Sequence, residues 1–272
     1  MISDCAFFTG STHPVCQDYT RHGKTAEGPY VLIADGCSSS PDTDIGARLL
    51  VMAAERYIDV VDQTAYHEKA IELAAVYARS MGLPETCLDA TLLTIRIEKG
   101  IPSAMIFGDG FIATKKNGVL FVTKVSFPNN TPFYPCYKLN DGKRAKGKLQ
   151  PAIVQEFEFH PEGLVVAHKA VELQTLHDTD FFRQYVDAGS DFVAIMSDGA
   201  GSFLRQVITE TSKTNEVIPD KDILPEILGF KNFQAGFVQR RLKRLEKDNR
   251  ERQWQHYDDL SVGALSFMGD KV

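Results

Sequence analysis

The stretch VLIADGCSSS (residues 31–40) decides how this chain is read. Val31, Leu32, Ile33 and Ala34 form the short apolar run of a buried strand, and the run then stops on Asp35, Gly36 and small polar residues. A carboxylate at the tip of such a strand costs free energy unless something pairs with it. Asp-Gly is also a common tight turn, so the stretch alone leaves both readings open. The pattern recurs. Phe192 and the four residues after it, through Met196, lead into Ser197, Asp198, Gly199, Ala200 and Gly201, and Met105, Ile106 and Phe107 lead into Gly108, Asp109 and Gly110. Two further acids, Asp258 and Asp259, precede the last apolar strand pattern, and Gln17 and Asp18 follow the first. Carboxylates gathered at strand ends sit together only if their repulsion is cancelled, which a multivalent cation does best. An all-oxygen donor set, with no paired His or Cys at metal spacing, favours Mg2+ or Mn2+ over Zn2+.

Working outward, residues 5–11 and 30–34 read as strands, and from Asp44 the period changes to that of a helix with Ile45, Leu49, Met52, Ala53 and Val60 on one face. Asp42, Thr43 and Asp44 offer cap candidates. A second helix is expected over 66–81, closed by Gly82 and Pro84. Residues 91–98 alternate as a half-buried strand would, and 103–127 read as an antiparallel meander with Asn117-Gly118 as its hairpin turn. Residues 128–148 are an irregular insertion, expected to be a flap. Strands resume at 153–159, 164–173 and 191–196, a helical face runs from Phe233 to Leu245, and LSVGALSF closes the pattern as a strand. Helix pairs among antiparallel strands point to an α+β fold in which two packed antiparallel β-sheets are flanked by helices, an α-β-β-α sandwich, as one domain over 1–272.

The chain has 272 residues, 43% hydrophobic and 24% charged, with a net charge of −6. That is an ordinary globular composition, and its acidic balance argues against a nucleic-acid partner. The basic run from Arg240 to Arg252 alternates with Glu246, Asp248 and Glu251, as a solvated helix face does. Without a signal-peptide pattern or an apolar run of membrane-spanning length, no membrane association is expected and the cytoplasm is the expected location. Five scattered cysteines read as reduced thiols, with Cys37 a candidate reactive one beside Asp35.

Taken in order, GSTHPVCQDY, VLIADGCSSSPDTDIGARLL, DATLLTIRI, MIFGDGFIATKKNG, FVAIMSDGAG and YDDLSVGAL resemble the metal-dependent serine/threonine protein phosphatases of the PP2C (PPM) type, in particular their bacterial group. The resemblance implies hydrolysis of phosphoserine or phosphothreonine on proteins by a water activated between two Mn2+ or Mg2+ ions, with a phosphorylated protein as substrate and a cognate serine/threonine kinase as partner. By position, Asp35 matches the acid that bridges both metals and Gly36 the carbonyl that holds the first. Asp198 and Asp258 match ligands of the second, Asp18 an acid that acts through water, and Asp109 an acid that helps Asp198 hold a third metal in some members. Many members carry a phosphate-binding arginine where this chain has His13, and two glycines where it has Cys37, Ser38, Ser39 and Ser40. His13 is thus the candidate substrate-binding residue, and His13 and His256 are candidate general acids. Of the adjacent acids, the family pattern puts Asp258 on the metal and leaves Asp259 off it. Two other readings stay open: a metal-dependent nucleotidase or nuclease, and a phosphatase-like sensor with little activity.

Overall fold

Side-chain parity along the strand Phe192–Met196 sets the layers. In the computed structural model, Val193 and Ile195 join one apolar core with Val31, Ile33 and Leu265, while Phe192, Ala194 and Met196 join a second with Val262, Ala264, Leu242 and Leu245. A strand with apolar side chains on both faces needs cover on both, and here a second sheet covers one face and helices the other. The structure describes residues 1–60, 62–139, 150–173, 181–187, 189–208 and 213–268.

The chain begins with β1 (Ile2–Phe8), β2 (Asp18–Lys24) and β3 (Pro29–Asp35), followed by α1 (Thr43–Arg56) and α2 (Gln63–Ser80). Then come β4 (Leu92–Glu98), β5 (Ile101–Phe107), β6 (Gly110–Lys116), β7 (Val119–Ser126), β8 (Ala152–Phe159), β9 (Val165–Ala167) and β10 (Val171–Leu173). The remainder is β11 (Phe182–Tyr185), β12 (Phe192–Met196), β13 (Phe203–Ile208), β14 (Lys213–Val217), α3 (Asp220–Ile227), α4 (Phe237–Arg252), β15 (Trp254–His256) and β16 (Leu260–Ser266). One antiparallel sheet is ordered β1-β16-β12-β6-β7-β8-β10, with β9 also on β8. The other is ordered β11-β5-β4-β3-β2, and β14-β13-β15 form a small third sheet. The two large sheets pack through β16 on β3 and β12 on β4, α1 and α2 cover the five-stranded sheet, and α4 lies on the larger one. This is the expected α-β-β-α order.

Several expectations need correction. The strand at 91–98 is buried on both faces, with Thr94 fully buried and Arg96 3% exposed, because β4 is central in a sheet covered on both sides. Arg96 tolerates this by bonding Glu98 and the Ile58 carbonyl, each at 3.0 Å, while lying over the Tyr66 ring. Residues 103–127 are not one meander: β5 belongs to the five-stranded sheet and β6 to the eight-stranded one, so the chain changes sheets at Gly108 and Asp109. Strand 164–173 divides into β9 and β10. Asp42 makes no side-chain cap bond, whereas Asp62 caps α2 through the Ala65 amide. Of the insertion expected to be a flap, residues 132–137 are buried and Phe133, Tyr134, Cys136 and Tyr137 belong to the inter-layer core; residues 140–148 lie outside the described residues. β2, β11, the small third sheet and α3 have no counterpart in the sequence reading. The basic run does form the exposed face of α4, with Arg244 paired to Asp248 and Arg250 to Glu246.

Candidate active site

Strand register brings the acids together. Met196 of β12 lies opposite Val262 of β16 and Phe111 of β6, so the C-terminal end of β12 meets the N-terminal ends of its two antiparallel neighbours. Asp198, Asp258 and Asp109 therefore emerge at one end of the larger sheet. In the other sheet Ile33 lies opposite Leu93, and Thr91 clasps the end of β3: its amide donates to the Asp35 carbonyl at 2.8 Å and its hydroxyl accepts from the Asp35 amide at 3.1 Å. Asp18 is the direct cross-strand partner of Asp35. Like charges placed opposite each other destabilise a sheet, so this pairing asks for a compensating charge. Asp109 sits between Gly108 (φ 106°) and Gly110 (φ 136°), a turn geometry that side chains disfavour. That sharp sheet change aims the acid inward.

Asp35, Gly36, Asp109, Asp198 and Asp258 line one cavity of about 320 Å3 with Cys37, Ser38, Ser39, Asn129, Asn130 and Tyr134. An adjoining cavity of about 300 Å3 shares Asp109, Asp198, Asp258 and Asn130 and adds Lys124. Asp18 is 1% exposed; its Oδ2 accepts from the Ser197 hydroxyl at 2.8 Å, and its Oδ1 receives no donor. Burial, together with the charge of Asp259, pushes the Asp18 carboxyl up to about 7 against the donors that favour its charged form. Burial and then the charges of Asp18 and Asp198 hold Asp35 well above the ordinary carboxylate range. Asp109 is raised by burial and by Asp198 and Asp258, and Asp258 by burial and Asp198. Among the described residues no three acid, His or Cys side chains already converge as a ligand group around one point. The donor set nevertheless fits hard cations: it is all oxygen, its charges are mutually unfavourable, and Asp18 keeps a buried oxygen without a donor.

Asp259 has a different environment from Asp258. It is 2% exposed and accepts from the Gly10 amide at 2.7 Å and the Gln17 amide at 2.6 Å. His13 Nδ1 stands 2.9 Å from Asp259, and Nε2 3.6 Å from Asp258. Partial burial opposes the imidazolium, but the contact with Asp259 and the charges of Asp258 and Asp18 outweigh it and raise the His13 pKa. His13 thus stands behind the acids and does not line either acid cavity. His256 is also elsewhere. It packs against Phe203 and lines a separate cavity, so it is not placed to protonate a leaving group at the acids. Burial lowers its pKa despite a hydrogen bond to the Phe8 backbone.

The sequence reading missed Asn129, Asn130, Tyr134 and Asp89. Asn129 (φ 57°) and Asn130 (φ 51°) are consecutive left-handed residues at the cavity rim, a conformation asparagine tolerates. The paired asparagines are the one signal that could have exposed them. Asp89 pins the Cys37–Ser40 turn and the insertion together: its carboxylate accepts from the Ser40 hydroxyl at 2.8 Å and from Cys136 at 3.1 Å, and its carbonyl accepts from the Cys37 amide. Burial works against a Cys37 thiolate, but donors from Ser39, Tyr134 and Ser40 outweigh it and lower its pKa. Among the described residues no histidine lines this cavity to serve a thiol nucleophile. All five cysteines are free. Among the described residues no helix is long and apolar enough to cross a membrane.

A model of the family described as Protein phosphatase 2C matches residues 11–134. No curated protein matches the chain. Among solved structures, the serine/threonine phosphatase PstP/Ppp of Mycobacterium tuberculosis is similar at 15% identity over 97% of each chain, with a TM-score of 0.51. PppA of Pseudomonas aeruginosa, a regulatory component of its T6SS, is similar at 16% identity over 98% of this chain and 97% of its own, with a TM-score of 0.52. The PstP catalytic domain in complex with two manganese ions is similar at 15% identity over 97% of this chain and 96% of its own, with a TM-score of 0.51.

Proposed function

We propose that this chain, whose fold is that of the PP2C-type phosphatases, is a hydrolase of phosphomonoesters that depends on Mn2+ or Mg2+ and acts on phosphoserine or phosphothreonine in proteins. The observation that carries the reading is the crowd of carboxylates from both sheets around one cavity, with a buried Asp18 oxygen left without a donor. Asp35, Asp198, Asp258 and the Gly36 carbonyl would hold two ions, Asp109 with Asp198 would hold a third, and Asp18 would act through water. Bound there, the ions would supply an acidified water as nucleophile and neutralise charge on the phosphoryl oxygens.

The protein's own residues do the rest. The carboxylates fix where positive charge sits, and Asp259, held by backbone donors, keeps its neighbour Asp258 in register with Asp198. Among the described residues lining the larger acid cavity none is Lys or Arg, so phosphate orientation falls to the neutral donors Ser38, Ser39, Asn129, Asn130 and Tyr134. A phosphorylated protein, and the kinase that makes it, are the partners this reading calls for. The test is hydrolysis of p-nitrophenyl phosphate and of a phosphothreonine peptide with and without Mn2+. Turnover that needs the ion and stops with a chelator supports the proposal. Full turnover in excess chelator, or none on either substrate with saturating Mn2+, rejects it.

A further inference from the structure

A third cavity, of about 290 Å3, lies between α4 and the larger sheet and, among the described residues, shares no lining with the acid cavities. Its walls are mostly apolar, built from Phe8, Phe203, Leu242, Leu245, Trp254 and Leu260. Thr9, Ser11, Glu246, Arg250 and Gln255 form its exposed polar side, and two less exposed polar groups, Asn249 and His256, interrupt the apolar wall. Along α4, Leu242 and Leu245 begin an inward stripe that helical spacing continues at Asn249, where another apolar residue would be expected. Asn249 is 7% exposed, and its Oδ1 has no hydrogen-bond partner. From β15, His256 lines the same cavity with its Nε2 also unpartnered, while the Phe8 carbonyl accepts from the other ring nitrogen. A ring protonated at that other nitrogen presents Nε2 as an acceptor. Both unpaired atoms are therefore acceptors beside an aromatic wall. Buried polar groups are nearly always hydrogen-bonded, so two such atoms beside one cavity of ligand-sized volume indicate missing donors.

We propose that this cavity binds a planar aromatic molecule whose edge carries N–H donors, an amino-substituted azole being the simplest example. The ring lies against Trp254 and Phe203, and its N–H groups reach Asn249 Oδ1 and His256 Nε2. Such a ligand sits on β15, two residues from Asp258, so its site is physically continuous with the segment that carries the acids.

Trp254 is the single tryptophan of the chain, so its indole N–H resonance reports the cavity without assignment of the rest. The full chain, loaded with diamagnetic Mg2+, is titrated with 2-aminobenzimidazole. A saturable shift with Kd below about 1 mM is expected, and 1-methylbenzimidazole, which has no N–H donor, should bind about tenfold more weakly or worse, because unpaired polar groups discriminate strongly. Asn249→Leu, which restores the apolar stripe, should melt no lower than the parent and lose at least about tenfold in affinity for 2-aminobenzimidazole. No saturable shift up to about 5 mM, a concentration at which even weak fragment binding registers, overturns the proposal. Equal affinity for the two benzimidazoles overturns it too, and that readout does not depend on the variant folding.

Discussion

Asp258 and Asp259 are neighbours in sequence and belong to opposite kinds of environment. On the Asp259 side, two backbone amides and a histidine surround a nearly inaccessible carboxylate, and its charge is satisfied inside the protein. On the Asp258 side, Asp35, Asp109 and Asp198 crowd one cavity to whose lining the described residues supply no Lys or Arg, Lys124 lining only the adjoining one. Peptide donors make the first region a structural joint, tying Gly10 and Gln17 to the start of β16. Repulsion makes the second a region that protons or charge from outside would stabilise. The type of acid does not distinguish them; the donors that reach it do.

The largest expected effect breaks the crowded side. Asp35→Asn and Asp258→Asn should each reduce kcat/KM on p-nitrophenyl phosphate by about a hundredfold or more, as loss of a group that organises transition-state charge does. Both variants should be at least as stable as the parent without metal, since each removes a repelled charge. Melting curves in chelator check this; a lower melting temperature for both would mean that the carboxylates are held by protein donors after all.

A pH series sharpens the same contrast. Asp18, Asp35, Asp109 and Asp258 have folded-state pKa values raised above the unfolded value near 4, so the folded protein binds more protons than the unfolded one above that pH. Their stabilising contribution is complete below about pH 4 and is lost as pH rises, for Asp18 through about 7. In chelator, stability should therefore fall from pH 5 to 8, about 1.4 kcal/mol per pH unit for each proton retained across the window. Saturating Mn2+ should flatten that slope, because metal and proton compete for the same oxygens. Scanning calorimetry with and without Mn2+ measures it; parallel slopes would separate the acids from the metal.

The satisfied side should respond in stability more than in chemistry. Asp259→Asn removes the charge from a set of short hydrogen bonds, at a cost of about 2 kcal/mol, or about 4–8 °C in Tm. Its kcat should fall no more than about tenfold, since the isosteric amide keeps the shape and one of the two acceptor oxygens. Calorimetric metal titration compared with turnover distinguishes the two acids: loss of an ion in the Asp259 variant with retention in the Asp258 variant would reverse their roles.

The smallest effect is expected at His13. Its imidazole lies against Asp259 and outside the acid cavities, so His13→Ala should lower Tm by about 2–4 °C, as loss of one part-exposed charged contact of about 1 kcal/mol does. KM for a phosphopeptide should change less than about threefold, a factor corresponding to well under 1 kcal/mol. A large KM increase rescued by Arg would instead assign His13 to phosphate binding.

Much of this was legible in the chain alone. Apolar runs interrupted by Asp-Gly located Asp35, Asp109 and Asp198, and the switch from period 2 to period 3.6 located α1, α2 and α4, because burial periodicity is written locally. Register between Asp18 and Asp35 was not legible, nor was β2, whose residues Asp18, Arg21, His22 and Lys24 are too polar to announce a strand. They form one because β3 offers its hydrogen-bonding edge. Tertiary structure also decided the fate of Phe133 to Tyr137, which composition placed in a loose insertion and which the core absorbs through four apolar or aromatic side chains. It separated His13 and His256 from the acid cavities, and Asp258 from Asp259. Sequence determines which residues sit at strand ends because side-chain periodicity is a local property. Which donors and charges surround those ends depends on segments up to 249 residues apart, as Gly10 and Asp259 are, and only the packing of two sheets brings them together.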